Sequence, residues 1–278
     1  MEASIKSRAE SFRNLHQQAG LFVIPNPWDA GSARILETLG FKALATTSGG
    51  LAFMLGRPDG AVTREESLEN VRTIMQATSL PVSADFENGY GDAPEDCANT
   101  ITQAATLGIS GGSIEDATGN PADPIYPFEL SVERVKAAVK AAQNAPQPFT
   151  LTARAENFIK GRPDLKDTIK RLEAYADAGA DVLFAPGIKT REQIEAVVKS
   201  VAPRPVNVIM AVAGANLSLH ELEDLGVKRV SVGSALSRAA LGALIRAAEE
   251  ILQKGTFNFA DEAKPYADLN NLFKKYSG

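Results

Sequence analysis

The sequence holds a single cysteine, Cys97, so no intrachain disulfide can form and the chain suits a reducing compartment. It holds only two histidines, His16 and His220, and neither falls near a candidate strand end. A histidine-rich zinc site and a Ser-His-Asp triad therefore have little support. No apolar run approaches the roughly 20 residues of a membrane span. The opening stretch MEASIKSRAESFRNLHQQ is polar and helical, without the apolar centre of a secretory leader. Neither sign of charge dominates, with 29 basic and 34 acidic residues and a net charge of −5. That balance argues against nucleic acid or an anionic membrane as the main partner and leaves small anionic metabolites open. The expectation is a cytoplasmic protein.

What is present is a repeated pattern. A helix ends in glycine and an apolar strand follows at once: Leu39-Gly40-Phe41, Leu107-Gly108-Ile109, Ala178-Gly179-Ala180 and Leu225-Gly226-Val227. Each glycine suits the left-handed position that closes a helix. The strands lack alternation, as expected of strands buried on both faces of a parallel sheet. Eight candidates stand out: Leu21–Ile24, Ala43–Thr47, Val82–Asp85, Gly112–Glu115, Phe149–Arg154, Asp181–Ala185, Val206–Met210 and Arg229–Gly233. Thr63 with Glu66, Thr190 with Gln193 and Ser218 with Glu221 have capping-box spacing between them. Eight such units in 278 residues predict an α/β fold, a (β/α)8 TIM barrel, with a doubly wound sheet as the alternative. No composition break divides the chain, so 1–278 reads as one domain with 256–278 as a C-terminal extension.

In such a barrel, chemistry gathers at the C-terminal strand ends. Two carboxylates, Asp85 and Glu87, stand in the stretch SADFENGYGD, and Glu115 ends the next strand. Three acids brought together repel unless a cation offsets them, and oxygen-only ligands favour Mg²⁺, with Mn²⁺ as a substitute. A plainer role exists for acids in such places, since Asp92 is positioned to cap the helix that Pro94 opens. Ser48-Gly49-Gly50 reads either as a tight turn or as an anion-binding nest. Arg154 on a buried strand needs the acids or an anionic ligand, because an unpaired interior guanidinium is costly. Cys97 reads as core, and His220, in the first turn of a capped helix, as non-catalytic.

The segments IPNPWDAGSARILETLGF, TTSGG, GRPDG, ADFENGYGDAPED, GGSIED and TARAENF, in that order, resemble the isocitrate lyase/phosphoenolpyruvate mutase superfamily over nearly the whole chain. The resemblance implies a barrel that holds Mg²⁺ under a 2-oxo acid or its enolate and makes or breaks an adjacent C–C or P–C bond. It makes Asp85 the direct metal ligand, and Glu87 and Glu115 the acids that hold the metal's waters. Asp59 becomes an acid near the metal shell. Ser48, Gly49 and Gly50 become the cradle for the substrate carboxylate, and Arg154 the arginine that holds the substrate. Asn120 falls where mutase-like members carry a polar gating residue. It also implies that the eighth helix, within Ser234–Ile251, is exchanged between barrels to give homodimers that pair into homotetramers. The apolar groups of the tail Phe257–Tyr276 likewise need a partner surface.

Two departures from the family pattern matter. The second acid of the family's D-x-D-x-G-Y-G run is Glu87 here. The region EDATGNPADPIYPFE replaces the K-x-C-G-H loop of true isocitrate and methylisocitrate lyases and has no thiol or imidazole. Loss of CO₂ from a 2-oxo acid needs no initial proton abstraction from carbon. The expectation is therefore an oxaloacetate decarboxylase-like, Mg-dependent lyase acting through an enolate, and not an efficient isocitrate or methylisocitrate lyase. The alternatives are P–C chemistry on phosphonopyruvate or phosphoenolpyruvate and a catalytically silent 2-oxo-acid-binding barrel. A lysine Schiff-base aldolase is disfavoured, since no lysine lies within the strands and Lys160 falls beyond the fifth.

Overall fold

The computed structural model describes residues 2–276; Met1, Ser277 and Gly278, the ends of the chain and of its extension, lie outside the described residues. In chain order the elements are α1 (Glu2–Gln17), β1 (Phe22–Ile24), α2 (Ala30–Thr38), β2 (Leu44–Ala45), α3 (Ser48–Met54), α4 (Arg64–Ala77), β3 (Val82–Asp85), α5 (Pro94–Thr106), β4 (Gly111–Glu115) and α6 (Phe128–Gln143). There follow β5 (Thr150–Arg154), α7 (Leu165–Asp177), β6 (Val182–Phe184), α8 (Arg191–Val201), β7 (Val206–Ile209), α9 (Leu219–Asp224), β8 (Arg229–Ser231), α10 (Ala235–Lys254), a short 3₁₀ turn and α11 (Tyr266–Lys274).

All eight strands fall where the sequence places them, trimmed by a residue or two at half of their ends, with β4 starting one residue earlier. They pair in parallel in the order β1-β8-β7-β6-β5-β4-β3-β2. That order runs round a ring without reversing, which overturns the doubly wound alternative and establishes the (β/α)8 barrel. The remaining seam is bridged where the Ala45 N–H donates to the Pro25 carbonyl at 3.0 Å. Asn26 fastens the same seam, donating to the Thr46 carbonyl and accepting from the Val232 and Gly233 amides. The three capping boxes form as expected. Asp92 does not cap α5: the Asp96 carboxylate turns back to the Ala93 N–H at 3.0 Å, and Asp92 accepts from the Tyr126 hydroxyl instead. The Tyr126 hydroxyl occupies Asp92, and Asp96, at the third helical position, reaches back to the cap residue as the acid of a capping box does.

The main core lies between the sheet and the surrounding helices, with Ile101, Ile114, Leu172, Val197 and Val208 fully buried. Helix α1 closes the N-terminal mouth of the barrel, burying Ala9 and Phe12. His16 from its last turn sits edge-on to Phe12 and Phe22, with ring centroids 4.8 and 5.0 Å away. Helix α10 behaves differently from the others. It meets the barrel near α3 and leaves Leu244 and Ile245 more than half exposed and Leu252 86% exposed. The tail finds part of its partner surface on its own barrel: Tyr276 lies against α2, under the Arg34 guanidinium and 3.0 Å from the Thr38 hydroxyl. Phe257 and Tyr266 stay exposed.

Candidate active site

The C-terminal strand ends open into a cavity of about 810 Å³ lined by Ser48, Asp59, Glu87, Glu115, Arg154 and Lys160, among others. A narrower cavity of about 170 Å³ continues from Ser48, Asp59, Asp85 and Arg154 into the barrel. The structure thus gathers Ser48, Asp59, Asp85, Glu87, Glu115 and Arg154, which lie far apart in sequence, around one opening.

Arg154 is the hub. Its Nη1 reaches Asp85 Oδ1 at 3.0 Å, Nη2 reaches Glu115 Oε2 at 3.0 Å and Nε donates to Glu156 Oε1 at 2.9 Å. The guanidinium also lies 5.2 Å from the centre of the Phe184 ring. Burial works against the charge on Arg154, but Glu156, Glu115 and Asp85 outweigh it and its pKa rises. Burial raises the carboxyl pKa of Glu115, and Glu156 adds to the shift. Glu156, only 1% exposed, is raised by burial too. Behind it, buried Asp116 accepts from the Glu156 N–H, Arg171 and the Tyr175 hydroxyl, which fixes the end of β4 against that of β5. With all three of its nitrogens already on carboxylates, Arg154 holds the site together before it can hold any ligand.

The Glu87 side chain stands apart from this network, although its N–H donates to Asp85 Oδ1 and its carbonyl accepts from the Glu115 N–H. The residue occupies a left-handed backbone position, φ +48°, in a tight turn closed by the Gly89 N–H on the Phe86 carbonyl at 2.8 Å. Such a conformation is costly for a side-chain-bearing residue and is found where geometry is imposed by a site. Its buried Oε1 has no hydrogen-bond partner. Burial, then the negative charges of Asp85 and Asp59, push its pKa up to about 7. Among the described residues no three His, Cys, Asp or Glu side chains form a closed metal-binding set. Mg²⁺ does not need one, since it commonly takes one or two carboxylates and keeps its waters. An orphaned carboxylate oxygen beside two like charges fits such an ion.

The Ser48-Gly49-Gly50 segment is the first turn of α3 rather than a free-standing turn, capped by the Thr47 hydroxyl on the Gly50 N–H. The Ser48 N–H donates to Asp85 Oδ2 at 3.1 Å. A Cβ at Gly50 would come 2.5 Å from Thr47 Cγ2, and one at Gly49 would come 3.3 Å from Asp59 Oδ2. Both glycines thus serve close approach, and Asp59 is held against this turn.

Asn120 is not brought to the cavity wall. It sits at an exposed turn, where its own side chain accepts from the Ala122 N–H. The loop after β4 is a small hairpin, bridged at Ala117 and Ile125. It is anchored by Tyr126, whose hydroxyl reaches Asp92 and Asn88 and whose ring lies 4.1 Å below the Arg134 guanidinium. Cys97 is core, as expected, and His220 is exposed beside Asp224. Three contributors were given no role from sequence. Glu156 stands just past the end of the fifth strand, two residues after Arg154, and Lys160 lies beyond it, on the wall of the wider cavity. Arg229, at the floor of the narrow cavity, gave no local signal.

A family model for phosphoenolpyruvate phosphomutase matches residues 12–252. A Burkholderia cenocepacia J2315 protein provisionally called a lyase/mutase has a solved structure 56% identical in sequence, with a TM-score of 0.95 over 98% of this chain and 97% of that one. Oxaloacetate decarboxylase of Bradyrhizobium diazoefficiens is 31% identical, the match covering 82% of this chain and 78% of the relative. A solved structure of oxaloacetate acetylhydrolase with its product oxalate is 26% identical, with a TM-score of 0.85 over 96% of this chain and 93% of that one.

Proposed function

The chain belongs to the phosphoenolpyruvate phosphomutase family, and from that premise we propose that it is a divalent-metal-dependent lyase that decarboxylates a small 2-oxo acid of the oxaloacetate type. The observation that carries the reading is the orphaned Glu87 carboxylate facing the charges of Asp85 and Asp59, at the mouth of a cavity whose flanking loop has no thiol or imidazole. The similarity to an oxaloacetate decarboxylase supports it.

Asp85 would hold Mg²⁺ or Mn²⁺ directly, with Glu87, Glu115 and Asp59 on its waters. Once bound, the ion supplies Lewis-acid polarisation where negative charge develops on a 2-oxo group. The remaining work falls to the chain. In the first turn of α3, Asp85 takes the Ser48 N–H and Thr47 the Gly50 N–H, which leaves the Gly49 amide and the Ser48 hydroxyl for the substrate carboxylate. Arg154 keeps Asp85, Glu115 and Glu156 in register so that the site does not fly apart when empty. Lys160 adds positive charge over Glu87, Glu115 and Glu156 on the cavity wall. Bond cleavage then needs orientation rather than a base, as the loop composition requires.

The test is a parallel assay with Mg²⁺ of CO₂ release from oxaloacetate, phosphate release from phosphonopyruvate, and glyoxylate or pyruvate release from isocitrate and methylisocitrate. Oxaloacetate turnover abolished by EDTA is expected. Turnover of isocitrate or methylisocitrate at a kcat/KM of roughly 10⁴ M⁻¹s⁻¹ or above would overturn the reading of the loop. Phosphate release as the main activity would favour P–C chemistry. The exposed apolar side chains of α10 support a homodimer or homotetramer in which that helix packs on a second barrel. Light scattering that finds only monomer at micromolar concentration would refute the assembly. No helix among the described residues is long and apolar enough to cross a membrane, and with one buried cysteine the proposed location is the cytoplasm.

A further inference from the structure

Barrel interiors are usually packed with bulky branched side chains. Here the narrow cavity keeps apolar walls at Ile24, Phe184 and Ile209 but is also lined by Ser83, Ser113, Thr152, Asn207 and Ser231, with Arg229 at its floor. Arg229 is 5% exposed. Its Nε donates to Asn207 Oδ1 at 2.9 Å and its Nη2 to Thr152 Oγ1 at 2.9 Å. Its Nη1 lies 3.2 Å from His16 Nε2. His16 Nδ1 faces the Phe12 carbonyl at 2.9 Å, which can only accept, so Nδ1 carries the proton and Nε2 accepts from Arg229. Every partner of this cation is neutral. Three of the five N–H bonds of a guanidinium are committed and two remain. Burial, with no carboxylate to offset it, pulls its pKa down to about 9. The acids that line the same cavity, Asp85 and Asp59, stand at its mouth, where Asp85 is already bound to Arg154 and Ser48.

A buried cation surrounded by hydroxyls and an amide, in a cavity of about 170 Å³, has the composition of an anion site. That space is ample for a halide or a one- or two-carbon carboxylate. Helix α1 closes the other end of the barrel, so the route in runs past Ser48 and Arg154. We propose that the floor of the barrel interior binds a small monoanion at Arg229, with Asn207 and Thr152 holding the guanidinium towards it. The anion comes either from solution or, if the proposed function holds, from the far carboxylate of a four-carbon 2-oxo acid anchored at Ser48-Gly49-Gly50.

The binding test uses the full chain without added metal or substrate, so its outcome is independent of the proposed reaction; only the final competition arm adds them. Chloride-35 line broadening should be saturable, removed by formate, and weaker by about tenfold or more in folded Arg229→Gln, the loss of a charge-assisted contact. Equal broadening in folded Arg229→Gln, or no saturable broadening in the native chain, overturns the site. If Arg229→Gln does not fold, bromide-soaked crystals of the native chain decide. An anomalous peak within hydrogen-bonding distance of the guanidinium supports the site, and no peak there overturns it. Competition in the presence of Mg²⁺ separates the two sources. Displacement of chloride by oxaloacetate but not pyruvate identifies the substrate carboxylate, and displacement by neither identifies a solution anion.

Discussion

Arg154 and Arg229 point into the same barrel and carry the same charge, yet their surroundings are opposite. Arg154 closes its strand at the C-terminal mouth and meets three carboxylates. Arg229 opens its strand near the N-terminal end and meets an amide, a hydroxyl and a neutral imidazole. The first is an overcompensated cation that organises acids. The second is an uncompensated one that burial destabilises. A buried charge is tolerable only when its neighbours repay desolvation, so the first arginine should matter for stability and the second for what enters the cavity.

The largest expected effect tests that contrast directly. Arg154→Met should destabilise the metal-free chain by about 3–5 kcal/mol in urea unfolding, because Asp85, Glu115 and Glu156 lose their shared cation. Arg229→Met removes an unpaired charge and strands three neutral acceptors, and should cost no more than about 1–2 kcal/mol. Equal losses would break the comparison.

Next comes the metal. Asp85→Ala should abolish Mg²⁺ binding in calorimetry, whereas Glu87→Gln should weaken it by roughly 10–100-fold, the range of a group acting through an intervening ligand. Unchanged affinity in Asp85→Ala would remove that residue from the metal's ligands.

A smaller effect concerns pH at the floor. Burial, then the charge of Arg229, holds His16 down to about 3 from its ordinary 6.5. The unfolded chain therefore binds a proton that the folded chain refuses between those values. Stability from neutral His16 is fully present above about pH 6.5 and is lost as pH falls towards 3. Between pH 7 and 5 the loss should be about 1–2 kcal/mol, and it should be absent in His16→Gln. A pH slope unchanged in that variant would place the titration elsewhere.

The smallest expected effect lies away from both arginines. Tyr126→Phe removes the hydroxyl that ties the loop after β4 to Asp92 and Asn88. It should cost about 1 kcal/mol in thermal unfolding and loosen the hairpin in hydrogen exchange. Protection equal to that of the native chain would show that the Arg134–Tyr126 stacking suffices.

Much of this was legible in the sequence. The glycine that closes a helix located β2, β4, β6 and β8, and short unalternated apolar runs located the other four strands, because both signals are local. Given the barrel, Asp85, Glu87, Glu115 and Arg154 had to meet, since parallel strands present their C-terminal ends on one face. Helix boundaries that depend on the geometry of one turn were less legible, as Asp92 and Asp96 show, and so was the conversion of Ser48-Gly49-Gly50 from a turn into the start of α3. Asn120 illustrates the limit of position-matching, because a loop that folds back on itself can turn a side chain away from the cavity it borders.

Sequence by itself determined the eight strand-and-helix units, the acids at the strand ends and the lack of a thiol or imidazole in the flanking loop, while the ring order of the strands closed the barrel. Only tertiary structure decided which charges pair. Arg154 draws its partners from three strand ends, and Arg229 is left facing His16 from a helix that begins the chain. Charge interactions fall off with distance and depend on what surrounds them, and apart from Glu156, two residues from Arg154, both are set by the closure of the barrel.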